Sequence, residues 1–430
     1  MRYAEMTVSG VEWIGEIPRH WTLSKMASLY SLRSEKVSDK EYPPLSVTMR
    51  GVVPQLATAA KTDDGDNRKL VRVGDFAINS RSDRRGSCGI SAYEGSVSLI
   101  NTVLIPRNRM NPEYYNWLFH SELFADEFYR RGHGIVDDLW TTNWQEMKKM
   151  FVPVPPLQEQ QSIATYLSAH CAEIDAIIEE SKASIEEYKR WKASVIYQAV
   201  TKGLDPDVPM KDSGVSWVGE IPATWDTCAI KRFSTKIGSG KTPSGGAEVY
   251  SDTGVIFLRS QNVYNEGLRL SDVSHISPEI DDSMSNTRVR YNDVLLNITG
   301  GSMGRCCLFD LTDTPANVNQ HVCIIRTIAK IVRPEFLRYF WISESGPMAI
   351  GQYQTGGNRP GLNFEQIGNT KIPLCSPDEQ DGIIRYLDRR CKAIDNLIEE
   401  KQSLIAELES YKKSLIYEAV TGKRKIMDEF

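Results

Sequence analysis

"QEQQSIATYLSAHCAEIDAIIEESKASIEEYKRWKASVIYQAVTKG" runs from Gln158 to Gly203, and "DEQDGIIRYLDRRCKAIDNLIEEKQSLIAELESYKKSLIYEAVTGK" runs from Asp378 to Lys423. The two agree at 20 of 46 positions without a gap, at an offset of 220 residues. Apart from Gly382 they lack Gly and Pro over Glu159 to Lys202 and Glu379 to Val420, so each reads as one long helix. In the first, Leu167, Cys171, Ile174, Ile178, Ser181, Ile185, Tyr188, Lys192, Val195 and Ala199 step by alternating four and three residues, the heptad seam of a coiled coil. Leu387, Cys391, Ile394, Ile398, Lys401, Ile405, Leu408, Lys412, Leu415 and Ala419 repeat that seam in the second. One such stripe ordinarily lies on a globular core. Two matched stripes in one chain favour burial of each helix against the other, over a length of about 65 to 70 Å at 1.5 Å per residue.

A shorter repeat precedes each helix. "SGVEWIGEIPRHW" (Ser9 to Trp21) returns as "SGVSWVGEIPATW" (Ser213 to Trp225) at an offset of 204, so the second copy holds 16 extra residues between the short motif and the long one. The chain is a tandem duplication. Its expected organisation is a globular domain over 1–155, a long helix over 156–203, a hinge at 204–212, a second domain over 213–375, a second helix over 376–423 and a tail at 424–430. Copies related by a pseudo-twofold operation place equivalent helices antiparallel. The fold class is α/β (α+β): two globular domains separated by two long antiparallel coiled-coil helices. Trp13, Trp21, Trp217 and Trp225 are expected to hold the domains onto these helices.

Composition is that of an ordinary globular protein, with 41% apolar and 25% charged residues over 430 positions, and no stretch reaches the length of a membrane span. The start, MRYAEMTVSG, does not read as a signal peptide. The eight cysteines show no CxxC pairs or companion His spacing, which favours reduced core thiols and a cytoplasmic location. A net charge of −5 argues against whole-surface binding of nucleic acid but leaves local basic grooves open.

The two variable domains keep a common scaffold. "VGDFAINSRSDRRGSCGI" (Val73 to Ile90) and "YNDVLLNITGGSMGRCCL" (Tyr291 to Leu308) share Asp75 with Asp293, Asn79 with Asn297 and Gly86 with Gly304, a strand followed by a Gly/Ser-rich turn. "NPEYYNWLF" from Asn111 and "RPEFLRYFW" from Arg333 both read as helix starts with Pro in the first turn. A constant scaffold with different loops suits a reader of varied targets. In the first domain the candidate DNA-contacting residues are Thr48, Arg50, Arg81, Arg84, Arg85 and His133. In the second they are Arg259, Ser260, Gln261, Asn262, Asn319, Gln320, His321, Asn358 and Arg359. Arg bonds guanine bidentately, Asn and Gln bond adenine, and Ser, Thr and backbone N–H groups suit phosphate. Any one of these residues is ordinarily a solvated surface group, so the clusters carry the reading.

No catalytic signature accompanies them. "GSGKT" at Gly238 to Thr242 lacks the first glycine of a phosphate loop, since Thr235 stands there, and Pro243 interrupts the helix that should follow. "NPEY" at Asn111 to Tyr114 lacks the second Pro of an amino-methyltransferase motif and has no glycine-rich cofactor turn before it. There is no HExxH, no GxSxG and no metal-binding carboxylate cluster in the pattern.

The whole arrangement resembles the specificity (S) subunit of type I restriction-modification enzymes. The resemblance rests on "GEIPRHW" and "GEIPATW", on "VPVPPLQEQQSIATYL" and "IPLCSPDEQDGIIRYLD" opening the helices, on "SLIYEAVTGK" closing one, and on "IGSGKTPSGGAEVY" at the start of the second recognition domain. It implies two target recognition domains, each binding one half of a split, non-palindromic site in double-stranded DNA. It also implies helices that set the spacer and dock two modification subunits carrying S-adenosylmethionine, with restriction subunits that use ATP and Mg²⁺. No cofactor is implied for this chain, and no membrane partner. The competing readings are a stand-alone DNA-binding repressor and a methyltransferase or nuclease with disguised motifs.

Overall fold

The computed structural model describes residues 3–55, 65–107, 109–134, 140–354 and 361–426. The chain divides into two compact units, Met1–Lys182 with Gln402–Phe430, and Ala183–Lys401. The two long helices span Leu157–Lys202 and Pro377–Val420, and the division falls near the middle of each. Boundaries drawn at the helix ends therefore differ from the compact units. The cause is packing, because each unit takes in half of the other copy's helix.

In the first unit Leu167, Cys171, Ile174 and Ile178 share a core with Leu415, Ile416, Ala419 and Val420. Asp175 accepts two hydrogen bonds from Lys412 Nζ, at 2.6 and 2.7 Å, while Tyr166, nine residues earlier, faces Arg424, twelve residues later. The helices are antiparallel. In the second unit Ile196, Ala199 and Val200 share a core with Ile383, Leu387 and Cys391, and Lys192 Nζ donates to both Asp395 carboxylate oxygens at 2.7 Å. These ion pairs are the same pair with the copies exchanged, since Asp395 is Asp175 shifted by 220 and Lys412 is Lys192 shifted likewise. Of the seam, Leu167, Ile174, Ile178, Ile185, Leu387, Ile394 and Leu415 are buried, while Val195, Ile398 and Ile405 are half-buried.

Each recognition domain enters and leaves through one two-stranded neck, Thr22–Lys25 against Phe151–Val154 and Asp226–Ala229 against Lys371–Leu374. Beyond the neck lies a four-stranded antiparallel sheet with the same order in both. The first runs Cys88–Ile90, Phe76–Asn79, Asn101–Pro106, Tyr30–Leu32, and the second Cys306–Leu308, Val294–Asn297, Val322–Thr327, Ser234–Ser239. The register also repeats, with Asn79 opposite Asn101 and Asn297 opposite Val322. The turn before the central strand needs a left-handed residue, which Gly74 supplies at φ 88° and Asn292 at φ 65°. The following Asp75 and Asp293 then cap that turn and pair with Arg33 and Arg326, drawn from different strands. The smaller sheets differ in extent: Gly95–Val97 pairs antiparallel with Arg68–Val71 and meets Pro44 by a single parallel bridge, whereas Ala316–Val318 pairs parallel with Val255–Leu258 and meets Arg288 by a single antiparallel bridge.

All eight cysteines are free thiols, seven of them buried. Burial pushes them up, Cys171 to about 11 and Cys323 and Cys375 to about 12, so they are unreactive at neutral pH. No helix among the described residues is long and apolar enough to cross a membrane.

Candidate nucleic-acid interface

The sheet fixes where each loop emerges, and two polar devices, each present in both copies, fix the domain to its helices. Trp21 Nε1 donates to Glu159 at 3.0 Å and Trp225 Nε1 to Glu379 at 2.9 Å, so both repeated entrances are latched to the first turn of the following helix. Burial pushes the Glu159 carboxyl up, but hydrogen bonds from Tyr3, Trp21 and His20 outweigh it and leave the group below its ordinary value. Trp13 packs edge-on against Phe124 within the core that the first domain shares with the long helices, and Trp217 donates to the Lys371 carbonyl of the neck.

The second device is a glutamine. Gln160, 1% exposed, accepts from the Asn111 N–H at 2.8 Å and donates to the Pro155 carbonyl at 2.8 Å. Gln380, fully buried, accepts from the Arg333 N–H at 2.8 Å and donates to the Cys375 and Ile331 carbonyls at 2.9 Å. Each ties the start of a recognition-domain helix, Pro112–Phe119 or Pro334–Ile342, to the long helix. Its recurrence in "EQ" of both copies is the signal the sequence carries for it.

In the first domain the turn after Phe76–Asn79 carries the arginine cluster. Arg81 and His133 both bridge to Thr141, which brings these two predicted residues together, and Tyr129 Oη donates to the Asn79 and Arg84 carbonyls at 3.1 Å to brace the turn. Arg84 is 66% exposed with Asp83 at 3.6 Å, and Arg85, 53% exposed, is paired with Asp126. Arg50 stands exposed at the tip of the hairpin Leu45–Thr48/Gly51–Pro54. Thr48 is committed within that tip, its hydroxyl donating to the Gly51 carbonyl and accepting from the Arg50 N–H.

In the second domain Asn262 is 1% exposed, accepting from the Arg259 N–H and donating to the Arg269 carbonyl at 2.9 Å. It shapes its loop and is not available to a base. Arg259 and Ser260 are half-buried beside it, and Gln261 is exposed with its amide on Asp272. Asn319, 8% exposed, caps the next turn by accepting from the His321 N–H. Gln320 and His321 join a chain: Thr242 Oγ1 donates to Gln320 at 2.5 Å, the Gln320 amide donates to His321 Nε2 at 3.1 Å, and His321 Nδ1 donates to Thr299 Oγ1 at 2.6 Å. Asn297 Nδ2 donates to the Ser260 carbonyl at 2.8 Å, so the 259–262 and 299–305 turns adjoin. Asn358 and Arg359 lie outside the described residues.

"GSGKT" proves to be the end of a sheet strand, Ser234–Ser239, and not a phosphate loop. A Cβ on Gly240 would fall 1.5 Å from the Val318 carbonyl oxygen, so this glycine serves backbone packing. "NPEY" is a capped helix start, with Asn111 Oδ1 accepting from the Glu113 and Tyr114 N–H groups. Among the described residues no cluster of His, Cys, Asp or Glu could hold a metal ion.

The geometry is that of a duplicated scaffold presenting polar and cationic turns, and its class is settled by relatives. The type I restriction modification DNA specificity domain matches residues 62–187 and 222–410, and the chain belongs to this family. It is a DNA sequence-specificity subunit, the non-catalytic recognition part of such a system. Among its relatives, the type I restriction enzyme MjaVIII specificity subunit of Methanocaldococcus jannaschii is 28% identical over 431 positions, covering 95% of this chain and 94% of the relative. The EcoBI specificity subunit of Escherichia coli is 27% identical over 290 positions, covering 64% and 59%. In fold the chain resembles a subunit from a study of type I restriction-modification assembly and conformational transition, with TM-score 0.73 at 13% identity over 95% of this chain and 99% of that one. It also resembles the HsdS subunit of Thermoanaerobacter tengcongensis, with TM-score 0.52 at 15% identity over 95% and 98%.

Proposed function

We propose that each recognition domain reads one half of a bipartite, non-palindromic DNA site, while the paired helices fix the spacer and dock two modification subunits. The observation that carries this is the pairing of an identical four-stranded sheet and neck with turns of unrelated sequence, Arg81–Arg85 in one domain and Thr299–Arg305 in the other. Half-sites read from one face of B-DNA are centred about 34 Å apart, a separation that long helices hold better than a flexible linker.

Docking is supported by apolar side chains the fold leaves uncovered. Ile177 and Trp191 are 44% and 42% exposed, and their equivalents 220 residues on, Leu397 and Tyr411, are 37% and 46% exposed, with Leu404 between them at 36%. Side chains spaced by seven or fourteen form a second stripe outside the seam, and two equivalent stripes suit two copies of one partner. The modification subunits would carry S-adenosylmethionine and methylate adenine, and restriction subunits would use ATP and Mg²⁺, all in the cytoplasm. The test is to express the chain with its modification subunits and map methylated adenine across the host genome. A split site with two unlike halves is expected, and replacing Arg81–Arg85 should alter one half only. Methylation or cleavage by the isolated chain, or a palindromic site, would sink the reading.

A further inference from the structure

At the edge of the 299–305 turn, the second domain gathers three arginines about Tyr264 and the residue after it. Arg269 Cζ lies 3.6 Å and Arg305 Cζ 4.4 Å from the centroid of the Tyr264 ring, and Arg338 donates to the carbonyl of Asn265, the next residue. Among the described residues no carboxylate lies within ion-pairing distance of any of the three, whereas Arg33, Arg288, Arg326 and Arg333 in the same chain are all paired. Stacking on tyrosine favours each cation but leaves their mutual repulsion uncompensated.

The cluster is built, not incidental. Tyr264 lies in a hairpin, Val263–Tyr264 against Gly267–Leu268. Asn265 at its turn accepts from the Cys306 N–H at 3.0 Å, fixing the hairpin to the strand that follows Arg305. Buried Asn262 holds the Arg269 backbone by exchanging hydrogen bonds with it at both its N–H, through the Asn262 carbonyl, and its carbonyl, through Nδ2. In the first domain the hairpin Leu45–Pro54 occupies the corresponding place on Cys88–Ile90, and its tip bears Arg50. Both domains thus set a hairpin against the equivalent strand, with exposed Arg50 at its tip in the first and exposed Arg269 just past it in the second.

We infer that Arg269, Arg305 and Arg338, ordered by Tyr264 and Asn265, form a clamp for the DNA sugar–phosphate backbone that positions the second domain without reading sequence. This inference rests on the DNA-reading function proposed above. The occupant is argued from position and charge: Arg305 belongs to the 299–305 turn, which Asn297 joins to Ser260, and phosphate contacts flank base contacts in such interfaces.

The test compares the full chain with R269Q/R305Q, each with its modification subunits, in binding to the mapped methylation site and to a scrambled duplex over a range of salt. Loss of two phosphate contacts should lower the slope of log K against log salt by about 1.8, and weaken both duplexes by a similar factor. R269K/R305K keeps the charge and should retain most of the slope, even if loss of stacking shifts stability. An unchanged slope in R269Q/R305Q would overturn the clamp, and if it came with lost co-purification of the modification subunits it would assign the patch to an acidic protein surface. Weakening confined to the cognate duplex would also overturn it, making these residues base readers. Failure of the unaltered protein to bind DNA would instead refute the function on which the inference rests.

Discussion

The paired buried glutamines give a quantitative test of how recognition domains are held. Gln160→Leu and Gln380→Leu preserve bulk while removing every polar partner. The first leaves two backbone groups unpaired, the Asn111 N–H and the Pro155 carbonyl, and the second leaves three, the Arg333 N–H and the Ile331 and Cys375 carbonyls. An orphaned buried polar group costs about 1–3 kcal/mol, partly offset by the apolar gain of leucine. The expected losses are about 2–4 kcal/mol for Q160L and about 3–5 kcal/mol for Q380L, with Q380L the larger. Urea unfolding of the full chain, followed by hydrogen exchange at the Asn111 and Arg333 amides, measures both. Losses below about 0.5 kcal/mol, or a reversed order, would refute the view that these side chains anchor the domains.

Ile178→Pro removes a helix hydrogen bond at a buried seam position and should cost about 3 kcal/mol or more in thermal or urea unfolding; methylation at normal spacer length would contradict the role of the helix pair. Arg84→Ala with Arg85→Ala should weaken binding through the first half-site alone, and unchanged affinity in a gel-shift assay would remove that turn from the interface. His120 is held below its ordinary value by burial, although its Nδ1–H bond to the Asn116 carbonyl works the other way. The unfolded state therefore takes up the proton first, and stability should be full above about pH 6.5 and fall as pH drops below it. His120→Asn should flatten that part of the curve, and an unaltered pH profile would show that His120 does not set it. The fragment of residues 1–203 lacks Leu415, Ile416, Ala419 and Val420 but carries Val195, Ile196, Ala199 and Val200 at the equivalent positions. It should self-associate in sedimentation, and a stable monomer would show that the first unit does not need a second helix.

The helices, their antiparallel pairing and the entrances were legible because burial of a seam imposes a period, and a duplicated period is visible at 20 of 46 identities. The turn at Gly74 and Asn292 was legible as "GD" and "ND", since both first residues tolerate positive φ and the aspartate recurs, but the arginine that meets each aspartate was not. Loop residues were less legible because composition does not record where a side chain's hydrogen bonds go. Asn262 and Thr48 look like base or phosphate readers by type, yet each is consumed in shaping its own turn. The Tyr264 cluster is not legible in the sequence because Arg269, Arg305 and Arg338 are far apart along the chain and meet only through the hairpin.

What the duplication has kept follows from the cost of changing it. Gln160 and Gln380, Glu159 and Glu379, and Asp75 and Asp293 each satisfy a buried or half-buried partner. Altering one member strands the other, a loss of the order of a protein's whole margin of stability when repeated. The exposed Arg84 and Arg85 of the 81–85 turn carry no such obligation, because water replaces a lost partner there. Arg33 and Arg326 mark the border between the two regimes: the aspartate is fixed by its turn, but the arginine that meets it comes from a different strand in each copy. A scaffold built this way can change the sequence it reads without altering the surfaces by which it holds its helices, so new specificity costs little in assembly.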